Sequence, residues 1–154
     1  MAALALIGAA CGSTDTGSSP SPSPSSSPVA SNPASTPSPV PLIFALNGIG
    51  TSAKGTITLT KGSGTFTLEL KIKGLTAMSS HISHVHIGSC AARGGIKYAL
   101  NQVVADGQGD ADIKTTLKAT YPPTTGRWYV VVHAGPDFSS TANQKYLLCG
   151  NLIK

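Results

Sequence analysis

The residues best suited to chemistry are histidines, and three of the four lie within residues 81–90, HISHVHIGSC. His84 and His86 are two positions apart in this stretch. Because residues i and i+2 of an extended strand face the same side, these two imidazoles project together. If Val85 and Ile87 face the core, the imidazoles point out of the wall that the strand forms. Paired imidazoles suit copper or zinc, bound at ~2.0–2.1 Å.

The third ligand of such a site is expected from His133, the one histidine outside this cluster, which ends the apolar run 128–133. A shared ion requires ring nitrogens of His84, His86 and His133 to converge to within ~4 Å of one another. The alternative is that the imidazoles hydrogen-bond to backbone or water and hold no ion. The sequence therefore predicts a three-histidine site and leaves its occupation by a metal open.

The elements that position these histidines are predicted to be short β-strands, because no segment shows a sustained 3.6-residue apolar period. Residues 66–72 alternate most clearly between apolar and polar side chains. Turns rich in Gly, Pro or Asn separate most of the predicted strands, which are residues 42–46, 56–60, 66–72, 82–87, 103–105, 112–117, 128–133 and 146–148. Seven or eight short strands of this kind predict an all-β Greek-key barrel or sandwich over residues 42–154.

The composition favours the same class of protein. Hydrophobic residues make up 40% of the chain and charged residues only 11%, a balance typical of a β-rich extracytoplasmic protein. The net charge is +5, but the lysines are scattered singly, which argues against nucleic-acid binding. The chain has no phosphate-cradling Gly-rich loop and no Ser/His/Asp arrangement, which argues against nucleotide and hydrolase chemistry.

The N-terminal part of the chain has a different character. Residues 1–11 end in an apolar run followed directly by Cys11. This segment resembles a bacterial lipoprotein signal peptide, in which the cysteine becomes the lipidated first residue; a secretory signal cleaved near Ala10 is the alternative. Residues 12–41 hold eight of the eleven prolines, separated mainly by Ser, Thr and Ala, which predicts a disordered, semi-extended tether. We therefore expect a cell-envelope protein anchored to the membrane at Cys11, or else a secreted one.

Several segments of the predicted domain resemble, in order, the core signature of the copper/zinc superoxide dismutases. The matching segments are IKGLT at 72–76, HISHVHIGSC at 81–90, VVADGQGDAD at 103–112, GR at 126–127, VVVH at 130–133 and LCG at 148–150. The likeness extends over nearly all of residues 42–154. It implies the fold of that family, an eight-stranded Greek-key β-barrel.

The resemblance also implies roles for individual residues. By position, the three histidines of the predicted site would be copper ligands, whereas His81 matches a structural histidine. Three cysteines suggest one pair and one thiol with another fate. Cys90 and Cys149 match the intramolecular disulfide of the family, and Cys11 stands apart. Such a disulfide implies an oxidising compartment.

The chain departs from that family at the second metal. Residues 91–98 are predicted to be a loop, the one in which the family carries its bridging and zinc ligands, and they contain no histidine. No zinc site is therefore expected, and copper is the candidate cofactor. Tyr146 stands where the family has an arginine that binds superoxide.

The remaining pattern also resembles the chordin-type domain, a related barrel-like module with a His-x-His strand and no established catalytic role. Two functions follow. The first is a copper-binding domain that stores or passes copper or retains some dismutase chemistry. The second is a non-catalytic structural or interaction module of the cell surface. Besides the membrane, a second copy of the chain is a candidate partner.

Overall fold

The computed structural model describes residues 38–153, and within them it contains ten β-strands and no helix. This part of the chain accordingly has no helix that could cross a membrane. The predicted signal segment with Cys11, and residues 12–37 of the predicted tether, lie outside the described residues. The strands are β1 (Leu42–Gly48), β2 (Lys54–Gly62), β3 (Thr65–Lys73), β4 (Ser80–His81), β5 (Ser83–Ile87), β6 (Ile96–Ala99), β7 (Val103–Val104), β8 (Ala111–Leu117), β9 (Trp128–His133) and β10 (Tyr146–Asn151).

Eight of the strands form one antiparallel sheet in the order β6-β5-β9-β10-β1-β2-β3-β8. Strands β1 to β3 pair consecutively, whereas β5 pairs with β9 and β1 with β10. These pairings join strands that are distant in sequence, as the long connections of a Greek key do. After β6, the Asn101 backbone N–H donates to Thr115 Oγ1 at 2.9 Å, and Asn101 Nδ2 donates to the Lys114 carbonyl at 2.7 Å. Because both acceptors lie on β8, these bonds draw the two edges of the sheet together. The nearly closed barrel confirms the predicted all-β class.

The barrel interior is filled by alternating apolar residues of the strands. On β3, Phe66, Leu68, Leu70 and Ile72 are all at most 1% exposed, as the alternation predicts. The Phe66 ring lies 5.6 Å from that of Trp128 on the far side of the core. Complete burial of a side chain of this size contributes about 1.5–3 kcal/mol to folding. The core therefore fixes β3 and β9, which are not neighbours in the sheet, against each other.

Strand β9 differs from β3 because both of its faces are buried. Val130 and Val132 face the barrel core, whereas Tyr129 and Val131 pack in a second, smaller cluster with Cys149. The neighbouring strands β5 and β10 pair with the edges of β9 and leave both faces free for side-chain packing. The outer face of β9 is therefore a sheltered surface that lies outside the barrel core.

Three details of the sequence-based prediction are wrong. Residues 91–98 are not all loop, because the chain forms β6 from Ile96; this side chain is 48% exposed, so the edge strand lacks the buried alternation that marks a strand in sequence. Residues 103–105 do not add a strand to the barrel sheet, since β7 has only two residues and pairs with β4 in a separate sheet, although Val103 and Ala105 are buried in the barrel core. Ile87 does not face the core but is 46% exposed where β5 ends.

A disulfide joins Cys90, in the loop after β5, to Cys149 of β10, with Cα atoms 5.9 Å apart. It confirms the predicted pairing. The two cysteines are 59 positions apart in sequence, and closing a loop of this length stabilises the fold by roughly 4 kcal/mol in the chain-entropy account. The Cys90 N–H also donates to Asn151 Oδ1 at 2.8 Å. The loop after β5 is thus fixed to β10 at two points.

Candidate metal centre

Strands β5 and β9 place three histidines on the outer face of the barrel wall. His84 lies opposite Val131 of β9, and His86 lies opposite Tyr129. His133 ends β9 on the same face, because residues 129, 131 and 133 alternate with the core-facing positions. The residue between the first two histidines faces the core, as predicted. All three histidines are nevertheless at most 8% exposed, so the outer face is covered where they lie.

The three imidazoles converge on one point. Each residue offers one ligand nitrogen, and these nitrogens all lie within 4.8 Å of one another, where ~4 Å is expected for a shared ion. Three nitrogens at ~2.05 Å from an ion in a trigonal plane stand about 3.5 Å apart, so each ring would move inward by at most about 0.7 Å to share one. The structure therefore brings the three predicted residues together, close to the spacing that a shared ion requires.

One nitrogen of each imidazole lacks a hydrogen-bond partner. The atoms are His84 Nδ1, His86 Nε2 and His133 Nε2, and among the described residues no other buried side-chain nitrogen or oxygen is in this condition. Buried polar atoms are nearly always paired, and leaving one unpaired costs about 1–3 kcal/mol. Three such atoms, one from each converging histidine, therefore mark a position suited to a bound ion.

The other nitrogen of two of these rings is anchored to backbone. His86 Nδ1 lies 3.0 Å from the Gly94 carbonyl, and His133 Nδ1 lies 2.8 Å from the Gln144 carbonyl. Because a carbonyl only accepts hydrogen bonds, each Nδ1 must carry a proton, and in the neutral ring Nε2 then carries the lone pair. Metal-binding histidines are commonly oriented by such a bond from the second ring nitrogen. Both rings are therefore held in the tautomer that can bind an ion.

Burial keeps two of the three imidazoles uncharged. Burial, together with the neighbouring His133 and His86, lowers the pKa of His84 to about 4. Burial also lowers the pKa of His133, although its bond to the Gln144 carbonyl acts in the opposite direction. Both imidazoles are therefore neutral at neutral pH, which is the form that binds metal ions.

Aromatic rings enclose the imidazoles. Phe138, in the loop after β9, stacks on His84 with ring centroids 5.3 Å apart and planes at 17°. Tyr146 of β10 lies edge-on to His133, with centroids 5.3 Å apart, and its ring centre is 5.7 Å from that of His86. These apolar surfaces shield the free nitrogens from water. The candidate centre is therefore a set of neutral donors within an aromatic wall.

A hydrogen-bond network holds the loop after β5 over the site. The Gly94 N–H donates to the Tyr129 hydroxyl at 3.1 Å, and that hydroxyl is 3.0 Å from the hydroxyl of Tyr146. Only glycine fits at position 94, because a Cβ there would clash with the Ile87 carbonyl. Burial and the bond with Tyr129 raise the pKa of Tyr146 to about 12. The network therefore fixes the backbone at Gly94, and the carbonyl of Gly94 orients His86.

His81 lies beside the site but has no nitrogen free for it. Its Nδ1 is 2.9 Å from the His133 carbonyl and 3.1 Å from the Ala134 carbonyl, and its Nε2 is 2.8 Å from Ser79 Oγ. The side chain thus holds the end of β9 to the small sheet formed by β4 and β7. This arrangement agrees with the structural role that the resemblance implies for His81.

Sequence reasoning missed most of the surroundings of the site. Tyr129 could have been found, because it alternates in step with His133 along β9. Phe138 carries no such signal, since it lies in a loop without periodicity, and the carbonyls of Gly94 and Gln144 are groups that every residue has. Arg93 is exposed, and its guanidinium lies 4.4 Å from the centre of the Tyr146 ring.

The candidate centre is an enclosed cluster rather than a cleft. An open groove of 660 Å³ lies elsewhere, lined mainly by residues of β1, β2, β3 and β8, and none of the four histidines contributes to it. Two lysines on its rim pair with aspartates, Lys71 with Asp112 at 3.0 Å and Lys73 with Asp110 at 2.7 Å. This groove has no connection to the chemistry of the histidines.

The fold and the position of the histidines define the class, a barrel of superoxide-dismutase-like type. Among 71 solved chains that match significantly, one is described as the "Crystal structure of a SOD-like protein from Bacillus subtilis". Its TM-score is 0.55 at 14% sequence identity, and the match covers 72% of this chain and 97% of that chain. At this identity the likeness shows the fold alone, and it confirms the resemblance found in the sequence.

The family model of the CHRD domain matches residues 44–136, more than half of the chain. The chain therefore belongs to the CHRD domain family, which was the second resemblance predicted. The matched range contains all three histidines of the candidate centre and ends before β10. No curated protein matches the chain significantly.

Proposed function

We propose that the domain binds a copper ion through His84 Nδ1, His86 Nε2 and His133 Nε2. The observation that carries this proposal is the convergence of three buried histidines, each with one unpaired nitrogen. A single ion would pair all three nitrogens at once. Its role here would be structural or as cargo, held or passed on by the envelope protein.

Copper is favoured over zinc by the ligand set. Imidazole suits both metals, but structural zinc sites almost always have four protein ligands, and the group formed by the described residues has three. The resemblance to the copper/zinc superoxide dismutases also assigns the corresponding histidines to copper. Dismutase activity is not part of the proposal, because Tyr146 replaces the superoxide-binding arginine and aromatic rings enclose the nitrogens.

The second candidate is a non-catalytic structural or interaction module of the cell surface that holds no metal. The CHRD family match favours it. The two candidates share one fold and one disulfide. Metal uptake is therefore what separates them.

The deciding experiment measures copper in the purified full-length protein after incubation with micromolar copper and removal of the unbound metal. We expect one copper per chain, lost in the His84→Ala/His133→Ala double variant. The His81→Gln variant is the matched control, because it removes a histidine but none of the free nitrogens, and it should retain copper. Near-UV circular dichroism checks that each variant folds. No uptake by the wild-type protein would leave the second candidate.

We also propose an extracytoplasmic location with a lipid at Cys11. The Cys90–Cys149 disulfide supports an oxidising compartment, and the apolar run before Cys11 supports lipidation. In this proposal residues 12–41 act as a spacer between the membrane and the domain. Incorporation of labelled palmitate, lost in Cys11→Ser, tests it; an unlabelled protein in the culture medium would show secretion instead.

A further inference from the structure

The donor set of the candidate centre brings no negative charge to an ion. Among the described residues, no carboxylate or thiolate joins the three histidines. Asp137, in the loop that covers the site, directs its Oδ1 to Ser139 and Asn143. Acidic residues of β3 and β8 pair instead with lysines of β3. An ion at this site would therefore keep its full charge.

The surroundings make that charge costly. The histidines are at most 8% exposed, and the rings of Phe138 and Tyr146 occupy the space beside them. The cost of moving an ion from water into an apolar medium rises with the square of its charge, so it is roughly fourfold greater for a divalent ion than for a monovalent one. Divalent sites in proteins offset this cost with anionic ligands or bound water. A neutral, enclosed site therefore favours a monovalent ion.

The number of donors points the same way. Cu²⁺ prefers a tetragonal set, and structural Zn²⁺ sites almost always have four ligands. Cu⁺ has a filled d shell, unlike Cu²⁺, and a single charge to offset, unlike Zn²⁺, so it accepts three donors. His84 is capped by the Phe138 ring, which occupies space on that side of the centre. Three nitrogens within an aromatic wall therefore fit a three-coordinate ion.

We infer that this centre, if it binds metal as proposed above, selects a soft monovalent ion, Cu⁺, over Cu²⁺ and Zn²⁺. The selectivity comes from the missing negative charge and from the three-donor geometry. The ion held by the envelope protein would therefore be copper in its reduced state.

The test compares affinities of the full-length protein for four ions. Cu⁺ is titrated anaerobically against bicinchoninate, Zn²⁺ and Cu²⁺ against chromophoric chelators, and Ag⁺ serves as a monovalent ion without redox chemistry. We expect Cu⁺ and Ag⁺ to bind at least about 100-fold more tightly than Zn²⁺. Tighter binding of Zn²⁺ or Cu²⁺ would overturn the inference and leave the metal-binding proposal standing. Binding of none of the four ions would overturn the metal-binding proposal itself.

A pair of variants tests the charge argument directly. Tyr146 contacts the rings of His86 and His133, so Tyr146→Glu brings a carboxylate to the centre, and Tyr146→Gln is its uncharged match. We expect Tyr146→Glu to bind Zn²⁺ about tenfold or more tightly than Tyr146→Gln does, with a smaller gain for Cu⁺. Equal Zn²⁺ affinities in the two variants would contradict the charge argument. A Cu²⁺ absorption band that disappears in Tyr146→Phe would also overturn it, because a phenolate would then supply the negative charge.

Discussion

The two faces of strand β9 are both buried, but different structures bury them. Its inner face, Val130 and Val132, packs among apolar side chains of the barrel core. Its outer face ends in His133 and lies beneath the loops that follow β5 and β9, where three imidazole nitrogens have no partner. Sheltering polar atoms without partners lowers stability. The contrast indicates that the inner face maintains the fold and the outer face is available for binding.

The largest expected effect comes from the core side of this comparison. Phe66 is fully buried against Trp128 and Tyr121, so Phe66→Ala leaves a cavity. We expect it to lower the free energy of unfolding by about 3–5 kcal/mol. Urea denaturation followed by tryptophan fluorescence measures the change, because Trp128 is the one tryptophan of the chain.

Phe138→Ala is the matched change on the outer face. Phe138 is 43% exposed, so we expect a loss below about 1 kcal/mol. Removing the ring that stacks on His84 should nevertheless speed the release of bound copper to a chelator. A loss of stability as large as that of Phe66→Ala would show that the loop after β9 is part of the core, and the comparison would fail.

The disulfide connects the two faces, because it ties the loop that covers the site to β10. The double variant Cys90→Ala/Cys149→Ala should lose roughly 4 kcal/mol of stability, measured as a lower urea midpoint. Freeing this loop also frees Gly94, which orients His86, so copper affinity should fall as well. Unchanged copper affinity in the folded double variant would show that hydrogen bonds alone hold the loop in place.

Acid should destabilise the outer face. The pKa of His84 is about 4 in the folded protein and near 6.5 in an unfolded chain. Between these values the unfolded state binds more protons, so stability is complete above about pH 6.5 and falls as the pH drops towards 4. The pKa of His133 is lowered in the same direction. We expect a loss of about 1–2 kcal/mol between pH 7 and pH 4.5 after solvent screening.

Urea midpoints of the metal-free protein across this pH range measure the effect. The His84→Phe variant, which cannot be protonated at that position, is the control and should show a flatter profile. An identical slope in both proteins would assign the acid sensitivity to other groups.

The inner face of the barrel wall is the part of the fold that the sequence predicts best. The alternation on β3 identifies the core-facing residues because every second side chain points into the core and the residues between them point outwards. These core residues are Phe66, Leu68, Leu70 and Ile72. Strand β6 cannot be predicted from apolar alternation. Its residues are exposed or half-buried at the edge of the sheet, so hydrogen bonding to β5 and not apolar burial defines it.

The sequence likewise predicts one part of the candidate site, the positions of the histidines, but not the other, their burial. The spacing of His84 and His86 predicts that they share a face, and His133 follows as the one histidine outside residues 81–86. The burial of the histidines does not follow from their spacing. It depends on Phe138 and on a loop held by a disulfide between two cysteines that are 59 positions apart in sequence. Burial by loops that are distant in sequence leaves no local pattern from which it could be predicted.

A further comparison concerns two buried tyrosines, one on each side of the barrel wall. Tyr129→Phe removes the hydroxyl that accepts from the Gly94 N–H on the outer face. Tyr121→Phe removes a hydroxyl that donates to the Leu152 carbonyl at 2.6 Å in the core. Each change should cost about 1 kcal/mol of stability. Only Tyr129→Phe should also weaken copper binding, by about tenfold, because the Gly94 carbonyl would no longer orient His86.

Nitrogen-15 chemical shifts of the imidazoles provide a readout that stability alone does not move. In the wild-type protein the His86 ring should be the tautomer protonated at Nδ1, and this preference should weaken in Tyr129→Phe but persist in Tyr121→Phe. If both variants keep the tautomer and the copper affinity, the Tyr129 hydroxyl only packs the loop. The positioning of His86 would then rest on the glycine at position 94 and on the disulfide beside it.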